Sequence, residues 1–119
     1  QLAAWTARRR ALAADYRRGL ATSPVHVPRE FEAGHVYHLF PVLVEARDRF
    51  QAHLRVAGIE TLVHYPIPIP RQPAAAAWAP AVCPVADDVC GRVVSLPMYP
   101  SLSADALAAV VEAVATFPR

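Results

Sequence analysis

The side chains best placed to do chemistry lie in one run, Thr61-Leu62-Val63-His64-Tyr65-Pro66-Ile67-Pro68-Ile69-Pro70-Arg71-Gln72-Pro73. His64 brings an imidazole and Tyr65 a phenol, groups that can each donate or accept a hydrogen bond. Four prolines follow between positions 66 and 73. Each fixes φ near −65°, removes a backbone donor and pushes the residue before it towards extended geometry. The expected result is a stiff, extended segment outside any ladder, fed by a buried strand that ends at Leu62 and Val63. Such a segment could present His64 and Tyr65 as a binding surface. The alternative is a proline-rich connector whose histidine and tyrosine are buried and hydrogen-bonded.

Composition limits what these groups can do. All twelve basic residues are arginine and the chain contains no lysine. Apart from a terminal amine, nothing in it can form a Schiff base with a carbonyl substrate or with pyridoxal phosphate. Cys83 and Cys90 are seven apart, which is not a zinc spacing, and no histidine clusters with them. They read as two small buried apolar residues. The net charge of +2 gives no argument for a nucleic-acid partner. A solvated face is the expected role of Arg8, Arg9, Arg10, Arg17 and Arg18, and phosphate binding is the alternative.

At 119 residues with 55% apolar content, the chain is expected to form one domain. No apolar run approaches the roughly 20 residues of a membrane span, and arginines interrupt the first 20 positions where a signal peptide would need an apolar centre. A soluble, cytoplasmic protein is expected, with neither membrane nor nucleic acid as partner.

The elements that must position His64 follow from periodicity. Leu2, Trp5, Leu12, Tyr16 and Leu20 mark one face of an opening helix that Thr22-Ser23-Pro24 stops. With Leu2 and Trp5 already in its first turn, this helix is expected to continue a longer chain. Residues 25–34 read as an extended connector. His35 to Glu45 reads as the strongest strand, on an edge or bulged because of Pro41, with His35 and His38 on opposite faces. Asp48, Phe50, Leu54 and Val56 predict a helix stopped by Gly58, and Ile59 to Val63 a second strand. A short helical turn at Ala74–Trp78 ahead of Pro80 comes next, then a third helix carrying Val85, Val89, Val93 and Val94. Ser95-Leu96-Pro97-Met98 is a short extended piece. Ser103 caps a last helix with Leu102 as a staple and Leu107, Val110, Val111, Val114 and Phe117 as its buried stripe. This order points to an α/β fold of the α+β type, a small, mostly antiparallel sheet covered by helices.

Several of these stretches resemble one known family. Val36-Tyr37-His38-Leu39-Phe40, Arg47-Asp48, Gly58-Ile59, His64-Tyr65-Pro66-Ile67-Pro68, Gln72-Pro73-Ala74 and Ser95-Leu96-Pro97-Met98-Tyr99-Pro100 occur in the order and spacing of the DegT/DnrJ/EryC1/StrS aminotransferases. These are sugar aminotransferases of fold type I that depend on pyridoxal phosphate. The opening helix, with Arg8-Arg9-Arg10, Ala14 and Tyr16-Arg17, is similar to the family's domain-linking helix. The resemblance implies a C-terminal small domain, with residues 1–22 as the linking helix and 35–119 as sheet and helices. It places the Schiff-base lysine and most cofactor contacts on a large domain absent from these residues. It further implies a homodimer that moves an amino group from an amino acid, glutamate being expected, to a keto-sugar nucleotide.

On this resemblance the domain forms one wall of the substrate cleft. His64, Tyr65 and Gln72 would approach the nucleotide sugar, and His38 would lie near the domain junction. No catalytic residue and no metal ligand is expected here. The chain departs from the family at Pro70, often histidine, and at Ala75, often tyrosine, which bears on substrate choice. A stand-alone binding or regulatory domain, or part of a deoxysugar dehydratase, are the alternatives.

Overall fold

Phe40-Pro41-Val42-Leu43 and Val93-Val94-Ser95-Leu96 form the only two named strands among the described residues, paired antiparallel with Phe40 opposite Leu96 and Leu43 opposite Val93. The computed structural model describes residues 1–78 and 82–118. We call these strands β1 (Phe40–Leu43) and β2 (Val93–Leu96). Successive side chains on a strand face opposite ways, so Phe40, Val42, Val94 and Leu96 share the core face, and all four are buried. Pro41 loses nothing here. The Leu43 N–H, two residues on, points away from β2 and donates to the His26 carbonyl at 2.8 Å. The nitrogen of Pro41 points the same way, outside the β1–β2 ladder. Single bridges extend the pair at both edges, His26 to Leu43 and Leu62 to Ser95.

Among the described residues four α-helices accompany this sheet: α1 (Leu2–Gly19), α2 (Arg47–Val56), α3 (Pro84–Arg92) and α4 (Ala104–Ala115). The fold is therefore the expected mixture of helices on a small antiparallel sheet. Leu12, Tyr16 and Leu20 seat the first helix, and the Tyr16 ring packs 4.8 Å from that of Phe40. Phe50 and Leu54 anchor α2, with Phe50 edge-on to Phe117 at 5.2 Å. Each such fully buried side chain stabilises the fold by about 1.5–3 kcal/mol. Ser103 caps α4 by accepting the Ala106 N–H at 3.1 Å, and both Leu102 and Leu107 lie in the core.

Where expectation and structure part, local geometry gives the reason. The strand expected from His35 to Glu45 begins only at Phe40, because Tyr37 adopts φ 50° and turns the chain. That left-handed conformation costs a non-glycine residue about 1–3 kcal/mol. It is held by the Tyr37 N–H donating to His35 Nδ1 at 3.0 Å and by a phenol–carboxylate bond to Glu30. His35 and His38 therefore lie on no strand. The strand expected over Ile59–Val63 is a single bridge at Leu62, whose side chain is exposed rather than buried. Val93 and Val94 belong to β2, not to the third helix, as two β-branched residues facing Leu43 and Val42.

The proline segment is not uniformly extended. Ile69–Arg71 and Pro73–Trp78 are 3₁₀ turns, separated by Gln72 in extended geometry. The expected stop at Pro80 lies outside the described residues. Leu2, Trp5 and Val56, placed on buried faces by periodicity, are exposed, and both cysteines are half-buried rather than buried. Among the described residues no helix is long and apolar enough to cross a membrane.

Candidate functional site

The end of α2 sets the site's first edge. Gly58, at φ 76°, occupies a left-handed position that glycine adopts without steric penalty. Its N–H donates to the Arg55 carbonyl and that of Ile59 to Leu54, both at 2.9 Å, the paired bonds of a Schellman stop. The chain then runs beside β2. Ser95 donates its N–H to the Leu62 carbonyl at 2.8 Å and accepts the Leu62 N–H at 3.3 Å. Two residues later His64 Nδ1 lies in hydrogen-bond contact with Ser95 Oγ at 3.0 Å.

Between this stretch, the segment after β2 and α4 lies an open cavity of about 710 Å3. His64, Ser95, Met98 and Tyr99 contribute to its wall, with Val110 from α4 behind them. Glu60 is the one charged side chain among its described lining residues. The segment after β2 is fixed from beneath by Tyr16, whose hydroxyl donates to the Pro97 carbonyl at 2.9 Å. Burial first, and the nearby Tyr99 second, push the Tyr16 phenol well above its ordinary range, so it stays a neutral donor.

The four residues singled out from sequence are placed differently. His64 lines the cavity. Tyr65 is 74% exposed and does not line it. Gln72 donates from Nε2 to the Ile67 carbonyl at 3.4 Å within its own segment. His38 is exposed beside Leu39, which does line the cavity. Ser95, Tyr99 and Glu60 were not singled out. A lone serine between apolar strand residues was the available signal for Ser95.

A second cavity of about 410 Å3 lies between Arg17, Phe31, His35 and Tyr37. Burial, then the bond to Glu30, raises the Tyr37 phenol above its ordinary range. Arg71 reaches from the proline segment to Asp87 on α3 through two guanidinium bonds. Hydrogen bonding from Arg71 is the main cause holding the Asp87 carboxyl below its usual range. Among the described residues no three His, Cys, Asp or Glu side chains gather as a metal site.

The cavity's donor set fits neutral oxygen-rich ligands. His64, Ser95 and Tyr99 can donate to or accept from hydroxyl and carbonyl oxygens. Among the described lining residues there is no arginine to neutralise a phosphate, and the chain contains no ε-amine. The residues present therefore do not fit a covalently held pyridoxal phosphate.

The profile of the DegT/DnrJ/EryC1/StrS aminotransferase family matches residues 1–115. A dTDP-3-amino-3,6-dideoxy-alpha-D-galactopyranose transaminase of Aneurinibacillus thermoaerophilus is 40% identical over 108 residues, covering 90% of this chain and 30% of that protein. A dTDP-3-amino-3,4,6-trideoxy-alpha-D-glucose transaminase of Streptomyces venezuelae is 41% identical over 120 residues, 95% of this chain and 31% of that protein. The crystal structure of S. venezuelae DesV in complex with a ketimine intermediate superposes with a TM-score of 0.89 at 39% identity, covering 97% of this chain and 33% of that one. The chain thus spans about a third of the length of the relatives it matches.

Proposed function

The chain belongs to the DegT/DnrJ/EryC1/StrS aminotransferase family, and from that premise we propose that it is the C-terminal, substrate-wall part of a nucleotide-sugar aminotransferase. The native protein would move an amino group from an amino acid, with glutamate the expected donor, to a keto-sugar nucleotide. Residues 1–22 serve as the domain-linking helix and 35–119 as the small domain. Pyridoxal phosphate supplies the amine–carbonyl exchange chemistry and is held by a large domain outside these residues. The native protein is a cytoplasmic homodimer in this reading.

One observation carries the proposal: His64, braced on β2 by Ser95, lines a cavity whose polar wall is neutral apart from Glu60. A wall without cations suits the hydroxyl-bearing sugar better than the pyrophosphate, whose charge other residues must meet. Beyond the cavity, Tyr65 and Gln72 on the proline segment would approach the same nucleotide sugar, and His38 would lie near the domain junction. Leu62, Tyr65, Ile67 and Ile69 leave large apolar surface exposed on that segment, which supports its lying against another domain.

The test is His64→Ala in the native gene product. The loss of one hydrogen bond to bound sugar is expected to lower kcat/KM by about tenfold, equivalent to about 1.4 kcal/mol, and to impair amino transfer more than folding, where the change is limited to the unpaired Ser95 hydroxyl. Wild-type turnover would remove His64 from the wall.

A further inference from the structure

Ser95 lies on the face of β2 away from the core stripe, yet it is 7% exposed, and among the described residues it is the one buried residue outside the apolar and aromatic types. We propose that Ser95 is a positioning residue that fixes His64 as its Nε2–H tautomer and turns that N–H away from the strand as a directional donor.

A serine hydroxyl carries one proton and two lone pairs, whereas a neutral imidazole carries its proton on one nitrogen and accepts at the other. The Ser95 hydroxyl meets His64 at Nδ1, 3.0 Å away. If Nδ1 held the ring proton, Ser95 would accept it and its own O–H would need a second partner from the cavity, since His64 is the one side-chain partner given to it among the described residues. With the Ser95 O–H donating to Nδ1, both groups are satisfied and the ring proton sits on Nε2. Nε2 lies on the opposite edge of the ring, so its N–H points away from Ser95. The backbone prepares this contact, because the reciprocal Leu62–Ser95 bridge fixes the chain two residues before His64. Without Ser95 the ring keeps its place in sequence but loses both its tautomer and its heading. Which ring nitrogen of a histidine carries the proton is set by the hydrogen bond that the other makes.

The consequence for catalysis rests on the substrate-wall reading, so the test has one arm independent of activity. In the native gene product, 15N spectra of His64 are expected to show a pyridine-like Nδ1 and a pyrrole-like Nε2. Ser95→Ala should average the two towards a mixture, and Ser95→Thr, which keeps the hydroxyl, should preserve the wild-type pattern. In turnover, Ser95→Ala is expected to lower kcat/KM by about three- to tenfold, the range of one neutral hydrogen bond. In a His64→Ala background it should lower it no further. A pyrrole-like Nδ1 in the wild type, or an equal loss from Ser95→Ala with and without His64, would overturn the proposal. If the spectra behave as stated while His64→Ala keeps full activity, the positioning of His64 stands and the substrate-wall reading falls.

Discussion

The Tyr16 hydroxyl on α1 donates to the Pro97 carbonyl, 81 residues away in sequence, at 2.9 Å. This bond ties the first helix to the segment that lines the cavity beyond β2. A buried ring, packed on Phe40, thereby sets the height of Met98 and Tyr99 in the wall.

Tyr16→Phe keeps the packing and strands the Pro97 carbonyl. The expected loss is about 1–2 kcal/mol of unfolding free energy in urea. The pH dependence has a defined sign. Burial raises the folded phenol above the unfolded value of about 10, so the folded state holds its proton to higher pH. The associated stability is complete below about pH 10 and declines as pH rises beyond it. The alkaline decline should be shallower in Tyr16→Phe, and an identical decline in both proteins would count against this assignment.

Gly19 of α1 lies against Val111 of α4. A β-carbon there would lie 2.8 and 2.9 Å from the two γ-carbons of Val111. Valine is stiff about χ1 and cannot swing clear. Gly19→Ala should therefore destabilise by about 1–3 kcal/mol. Adding Val111→Ala should recover part of that loss in thermal unfolding, where two independent defects would simply add.

Ser103 holds the start of α4 through its bond from the Ala106 N–H. Ser103→Ala should lower stability by about 0.5–2 kcal/mol, while Ser103→Asp should stay close to wild type in the same denaturation assay.

Helices were the most legible part of the sequence, because apolar residues recurring every three to four positions form one helix face, most of which, apart from Leu2, Trp5 and Val56, turns to the core. Ser103 and Gly58 then announced their boundaries by chemistry. Strand lengths were not legible. Val36-Tyr37-His38 carries strong strand propensity, but the Tyr37–Glu30 and Tyr37–His35 bonds that hold φ at 50° join residues whose proximity only the fold creates. Val93 and Val94 continue a helical period equally well, and the facing β1 residues decide otherwise. His64 was legible as a polar group at the end of an apolar run. Its partner Ser95 was not, since a contact between residues 31 apart leaves no local signature.

If these residues shape a substrate wall, the cofactor must be held elsewhere in the native protein. Borohydride reduction of the native gene product loaded with pyridoxal phosphate, followed by peptide mapping, tests it most directly. The account predicts a pyridoxyl group on a lysine outside these 119 residues, which contain none. A label within them, or no label anywhere in the native protein, would contradict it.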